Sequence, residues 1–209
     1  MEALAPKENS ALVRERRAVG AVNPMPPSPA MTIALEEYKA LRVEIAGRSS
    51  SQHTLIGLNF TTIGAVCGLV LSGKISPFLF LLMPLICSTI GLLFYDHHWN
   101  ILACGRYIKR RLWEQLKALA GAPDLRCYED ELSRYGRGAL RQVLFGIPFF
   151  MSFSAPSIAA LALVHPLFTG SLPLGANQIT GIWATGVALT AATTVDWLAF
   201  VTNGFGRLR

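Results

Sequence analysis

The residues whose chemistry stands out are few, and they cluster at the margins of apolar runs. Asp96, His97 and His98 are consecutive and directly follow the run PFLFLLMPLICSTIGLLFY. A carboxylate beside two imidazoles could hold a metal, exchange a proton or sense pH. His53 stands at the start of another apolar run and is expected at the same membrane depth, so a pH-sensing cluster of His53, Asp96, His97 and His98 is one reading. Asp196 lies about one turn from the inner end of the last apolar run. An ionised carboxylate at mid-bilayer costs roughly 2.5–3.5 kcal/mol on insertion scales, so such a residue faces the bundle interior. Pairing with an arginine is one expectation for Asp196, and a place on a proton or ion pathway is the other. Arg106, Lys109, Arg110 and Arg111 form the densest basic cluster. They are expected to contact anionic lipid headgroups or to pair with the acids of residues 32–48.

The spacing of these groups argues against an enzyme. Neighbouring helical residues point about 100° apart, so His97 and His98 do not converge on one metal as an i,i+4 pair does. A polar collar where a helix meets the headgroups is the simpler reading. Asp-His-His also spells the short signature of DHH phosphoesterases, but those enzymes need further aspartates in a soluble α/β fold. The chain has no Gly-rich phosphate loop, no G-x-S-x-G and no H-E-x-x-H. Cys67, Cys87, Cys104 and Cys127 form no CxxC pair, so neither a zinc site nor a disulfide framework is expected. No catalytic residue, metal or cofactor is expected, and no nucleic-acid partner.

The elements that position these groups follow from hydropathy. The chain is 52% apolar but only 15% charged, against roughly 25% charged in soluble domains. The shortfall sits in four long runs, which predicts an all-α, multi-pass membrane protein with four transmembrane helices and a cytoplasmic amphipathic layer. Residues 1–31, with five prolines and no apolar periodicity, read as a disordered leader. Met31 is a plausible alternative start. Residues 32–54 form a cytoplasmic segment in which Thr32–Arg48 is an amphipathic helix. Thr32 is its cap, Ala34, Leu35, Tyr38, Leu41 and Ile45 are its apolar stripe, and Glu44–Arg48 is an i,i+4 pair.

The first hairpin covers 55–95, with spans 55–72 and 77–95 joined by a very short loop. Gly57, Gly64 and Gly68 share one face of the first span and are expected to let another span pack closely, a dimer seam being the alternative. Asn59 is expected to face protein, and Pro84 to kink the second span. Residues 96–142 form a cytoplasmic arm and loop. Asp96–Gly121 continues the second span without a break, carries Ile101, Ile108, Leu112, Leu116 and Leu119 on one stripe, and ends at Gly121 and Pro123. The arm is expected to pack on Thr32–Arg48. Tyr128, Leu132 and Tyr135 share a face in the loop that follows. The second hairpin covers 143–201, with spans 143–164 (holding Pro148 and Pro156) and 181–201. Residues 202–209 are the tail.

Lysines and arginines number 7 before the first span, 1 in the first outer loop, 9 between the second and third spans, none in the second outer loop and 2 in the tail. Basic residues mark the cytoplasmic side, so both termini are expected inside, in a bacterial cytoplasmic (inner) membrane.

Two stretches carry a resemblance. EEYKALRVEI (Glu36–Ile45) and LLFYDHHWNILACGRYIKRRLW (Leu92–Trp113) resemble a group of small bacterial integral membrane proteins with an EY-x-ALR-x-EI helix, an apolar hairpin and a DH followed by a GxYI-type basic arm. The likeness covers roughly residues 32–120 and carries no activity or site residues with it. In architecture alone the plan is similar to small membrane effectors of bacterial phage defence. The expected function is therefore a non-enzymatic structural, scaffold or effector protein that self-associates in the bilayer. The second expectation is a small channel or transporter using Asp196 and the polar fourth span.

Overall fold

The computed structural model describes residues 28–73, 76–128, 139–164 and 176–206, with backbone alone for 139–145, 176 and 203–206. All regular structure among them is helical. Helix α1 spans Pro29–Leu71. A 3-10 turn, Pro77–Leu81, leads into α2, Leu82–Tyr107. A π turn, Ile108–Leu112, joins α2 to α3, Trp113–Ala120. Helices α4 and α5 span Ala139–Val164 and Ala176–Gly206. Four stretches are long and apolar enough to cross a bilayer, so the chain is an all-α multi-pass membrane protein.

Helix α1 is one rod of 43 residues, about 65 Å long at 1.5 Å per residue and roughly twice a bilayer core. The separate amphipathic helix and first span expected from the sequence are therefore a single element. The polar residues 49–54 break nothing, because Ser51 and Thr54 return their hydroxyls to the carbonyls of Gly47 and Ser50. The cap is Ser28, not Thr32. Its Oγ accepts from the Met31 amide at 3.2 Å, and Pro29 opens the first turn, where a missing N–H costs nothing. Residues 28–31 thus belong to the helix and not to the leader, whose residues 1–27 lie outside the described part.

The arm continues the second span without interruption from Pro77 to Ala120, and Gly121, at φ 62°, ends it. Ile108, Leu112 and Leu116 are buried against Ala34, Tyr38, Leu41 and Ile45 of α1. A spacing of four and four drifts around an α-helix, and the wider π turn offsets that drift. Trp113 and Tyr38 add a tilted ring pair at 6.4 Å, and the Tyr107 hydroxyl donates to Glu37 at 2.7 Å. The expected Glu44–Arg48 pair is present at 2.8 Å. The result is a two-helix stalk standing off one end of the bundle.

Within the bundle α2 is central and packs on α1, α4 and α5. Pro84 does not kink a mid-span helix as expected. It is the third residue of α2, inside the first turn after the 3-10 segment, where its missing amide is tolerated. Pro148 and Pro156 lie inside one continuous α4, as expected. Leu132 and Tyr135 lie outside the described residues.

Candidate functional site

Three polar regions occupy the bundle. The deepest is a hydroxyl cluster at the meeting of α2, α4 and α5. Ser88 Oγ lies 3.3 Å from Ser157 Oγ and 3.3 Å from Thr190 Oγ1. Thr193 Oγ1 donates to the Ser88 carbonyl at 3.1 Å. Ser88, Ser157 and Thr193 are fully buried. Three of the hydroxyls also reach back along their own helices, Ser157 to Phe153, Thr190 to Gly186 and Thr193 to Leu189. Where lipid offers no hydrophobic drive, such bonds hold helices together. The small residue that lets α2 come this close is Gly91: a Cβ there would lie 2.7 Å from Thr193 and 3.0 Å from Phe153. Gly146 and Gly186 play the same part against Val201 and against Pro84 and Leu161.

These three are the interior packing glycines, and the sequence reading missed them because no GxxxG spacing marks them. The three it named behave otherwise. A Cβ at Gly57, Gly64 or Gly68 would meet nothing within 4 Å, so the expected packing against another span of the same chain is not made. They face outward because α1 touches α2 along one side only. Just 11% of its most apolar stretch is buried, against 50% for the stretch in Pro77–Ala120.

The second region is the α1–α4 contact. Asn59 is fully buried, as expected, and its amide donates to the Ser152 carbonyl.

The third region is the arm end of the bundle. Tyr95 is fully buried among Phe94, Phe153 and Phe200, at ring distances of 5.5, 6.4 and 6.2 Å. Its hydroxyl has no hydrogen-bond partner among the described residues. Asp196 is half-buried on α5, one turn before Phe200. Arginines of the arm do not supply the partner expected for Asp196. Arg106, the first of them, stands eleven residues beyond Tyr95, roughly 16 Å along the helix.

His98 packs edge-on against Phe200 at 4.7 Å and against Trp99 at 5.8 Å. Burial there pushes its pKa down from 6.5 to about 4, since an imidazolium would be stripped of water. Asp96 is exposed and accepts from Asn100, His53 is exposed, and the His97 ring is half-buried with Nδ1 unpartnered. The expected cluster of His53, Asp96, His97 and His98 does not converge. No group of three or more His, Cys, Asp or Glu side chains among the described residues could hold a metal. All four cysteines are free.

The basic cluster occupies the last turn of α2 and the π turn. Arg106, Arg110 and Arg111 are exposed, and Lys109 is half-buried. They stand ten or more residues past Asp96, roughly 15 Å or more along the helix, which exceeds a screening length of about 8 Å. On α1, Glu36 and Glu44 bond Lys39 and Arg48 of their own helix, and Glu37 accepts from Tyr107. A shallow groove of about 560 Å³ on the far half is lined by Leu85, Gln178, Gly181, Ile182 and Thr185, and none of the titratable groups reaches it.

Fold and polar groups together define a class: an all-α multi-pass membrane protein with a two-helix stalk and a buried hydroxyl core. No family model matches the chain, and no curated protein or solved structure matches it.

Proposed function

We propose that this chain is a non-enzymatic membrane scaffold or effector that self-associates through the outer face of α1. The observation that carries the reading is a stripe of small residues on that face. Ser50, Thr54, Gly57, Thr61, Gly64 and Gly68 recur at alternating spacings of four and three, and all are exposed. That is the period of a left-handed coiled coil, and small side chains let two backbones approach where dispersion and lipid entropy drive association. The hydroxyls of Thr54 and Thr61 bond back to the carbonyls of Ser50 and Gly57, so neither threonine offers lipid an unsatisfied donor. The occupant of this face is a second copy of the chain, placed so that two stalks stand side by side.

The membrane is the cytoplasmic (inner) membrane of a bacterium, with both termini and the stalk in the cytoplasm. Support comes from the basic residues, of which 9 lie between the second and third spans and none between the third and fourth. On that side Arg106, Arg110 and Arg111 are presented to the aqueous phase at the height of the stalk. Their service as headgroup contacts requires the stalk to tilt toward the bilayer.

The test is disulfide trapping in native membranes with Thr61→Cys in a cysteine-free background. A crosslinked dimer is expected from Thr61→Cys and not from Leu163→Cys, which is exposed on α4. Gly64→Leu is expected to shift the equilibrium about tenfold toward monomer without unfolding the chain. Monomer alone in nanodiscs and in detergent would retire the reading. The second reading, a small channel or transporter, is supported by the hydroxyl cluster and by Asp196. Ion or proton flux in liposomes that is lost in Asp196→Asn would favour it.

A further inference from the structure

We propose that the pairing surface of α1 runs on out of the membrane, so that the stalks of two copies of this chain join in water as a parallel coiled coil aligned by Lys39 and Glu44. The inference rests on the self-association proposed above and names how that contact continues and what sets its register.

The spacing does not stop where the apolar run begins. With Thr61 at a and Gly64 at d of a heptad, the same frame read toward the N-terminus puts Ile33, Ala40 and Gly47 at a and Glu36 and Val43 at d. All of them are exposed. The frame survives because α1 is one unbroken helix from Pro29 to Leu71; a break at the membrane surface would have lost the phase. The buried residues of α1, Ala34, Asn59 and Val66, fall at b, f and f. The arm and the bundle therefore hold one side of the rod along its length and leave the a/d side open.

The solvent supplies an independent argument. Ile33 and Val43 are 69% and 72% exposed on a stretch that stands in water. An aliphatic side chain facing lipid is at home, whereas in water its burial drives association. The seam changes composition at that boundary. It carries aliphatic side chains where the hydrophobic effect acts, and glycine and threonine where only close packing does. A Cβ at Gly47 would meet nothing within 4 Å, so the rods can keep in water the close approach set in the membrane.

Charge selects the occupant. Copies of one chain share one orientation in the bilayer, so a two-fold axis along its normal brings the α1 helices together parallel and in register. A g residue then faces the e residue of the partner's next heptad. Lys39 is at g and Glu44 is at e of the following heptad, so each Lys39 meets the partner's Glu44. Within the chain Lys39 bonds Glu36 at 2.7 Å and Glu44 bonds Arg48 at 2.8 Å. Exposed pairs of this kind contribute little and leave their charges open to a further partner. Glu36, at d, faces its own copy. A polar residue at such a position fixes register at a cost in stability.

The experiment is disulfide trapping of the full chain in native membranes, in a cysteine-free background. Val43→Cys is expected to crosslink, and Ala118→Cys, exposed on the arm, is not. Adding Glu36→Leu to Val43→Cys is expected to strengthen dimerisation about tenfold, because two facing carboxylates are removed. Lys39→Glu and Glu44→Lys are each expected to lower the crosslinked fraction of Val43→Cys, and the two together to restore it. If these charges acted only within one chain the two losses would add, since each substitution breaks a different pair. Additive losses would overturn the proposal. Crosslinking of Thr61→Cys without Val43→Cys would also overturn it, whether lipid or another protein covers the stalk, and would leave the membrane contact standing. Crosslinking of Val43→Cys without Thr61→Cys would keep the stalk contact and retire the one in the membrane.

Discussion

Asn59 on α1 donates its side-chain amide to the Ser152 carbonyl on α4, the carbonyl that Pro156 leaves without its helical donor. In an α-helix the amide of residue 156 would serve residue 152, and proline has none. The break in one span is therefore satisfied by a side chain of another, and it ties the outlying α1 to the bundle. Ser152 Oγ closes the preceding turn by donating to the Pro148 carbonyl at 2.7 Å.

Asn59→Ala is expected to cost about 1–2 kcal/mol, the range for an interhelical bond in a membrane bundle. In a Pro156→Ala background the same change is expected to cost less, because the restored amide takes the Ser152 carbonyl. A double-mutant cycle on unfolding free energies in mixed micelles measures the difference. Equal costs in the two backgrounds would show that the two residues are not coupled.

Glycines inside and outside the bundle are expected to respond oppositely to a methyl group. Gly91→Ala forces a contact of 2.7 Å on Thr193 and is expected to destabilise by about 1–3 kcal/mol. Gly64→Ala meets nothing within the chain, so the monomer's stability should hold or rise slightly. Thermal melts of the two variants at a dilution that favours monomer separate these outcomes.

The stalk is held by a narrow apolar seam, so single truncations there should be costly. Leu112 is fully buried between the arm and α1, and Leu112→Ala is expected to cost about 2–5 kcal/mol. The loss should be local. Hydrogen exchange is expected to rise in residues 29–48 and 108–120 and to stay unchanged around Ser88 and Thr193.

Acid should loosen the stalk end through His98. Its pKa lies below the unfolded value, at about 4 against 6.5, so the unfolded chain binds the extra proton. The stability that this neutral ring contributes is complete above about pH 6.5 and is lost as pH falls toward 4. On the order of 1–2 kcal/mol should disappear between roughly pH 7 and pH 5. His98→Gln is expected to flatten this part of the melting-temperature profile. A profile as steep as that of the parent would assign the acid sensitivity to other groups.

Much of the architecture was legible in the residues alone. Long apolar runs determine that helices cross a bilayer, since in lipid a backbone must satisfy its own polar groups. Gly121 determined the end of the arm, and the stripe from Ala34 to Ile45 announced a partner on the arm. These are local properties, carried by periodicity and by caps. Which face of a helix meets protein and which meets lipid was not legible, because Leu, Phe and Gly suit both in a membrane. Gly57, Gly64 and Gly68 looked like interior contacts and are outside, while Gly91, Gly146 and Gly186 carried no motif and are the points of closest approach. Tertiary structure alone brought Asn59 to Ser152 and Ser88 to Thr193. Those pairs join residues about one hundred positions apart on helices whose order around α2 no local pattern encodes.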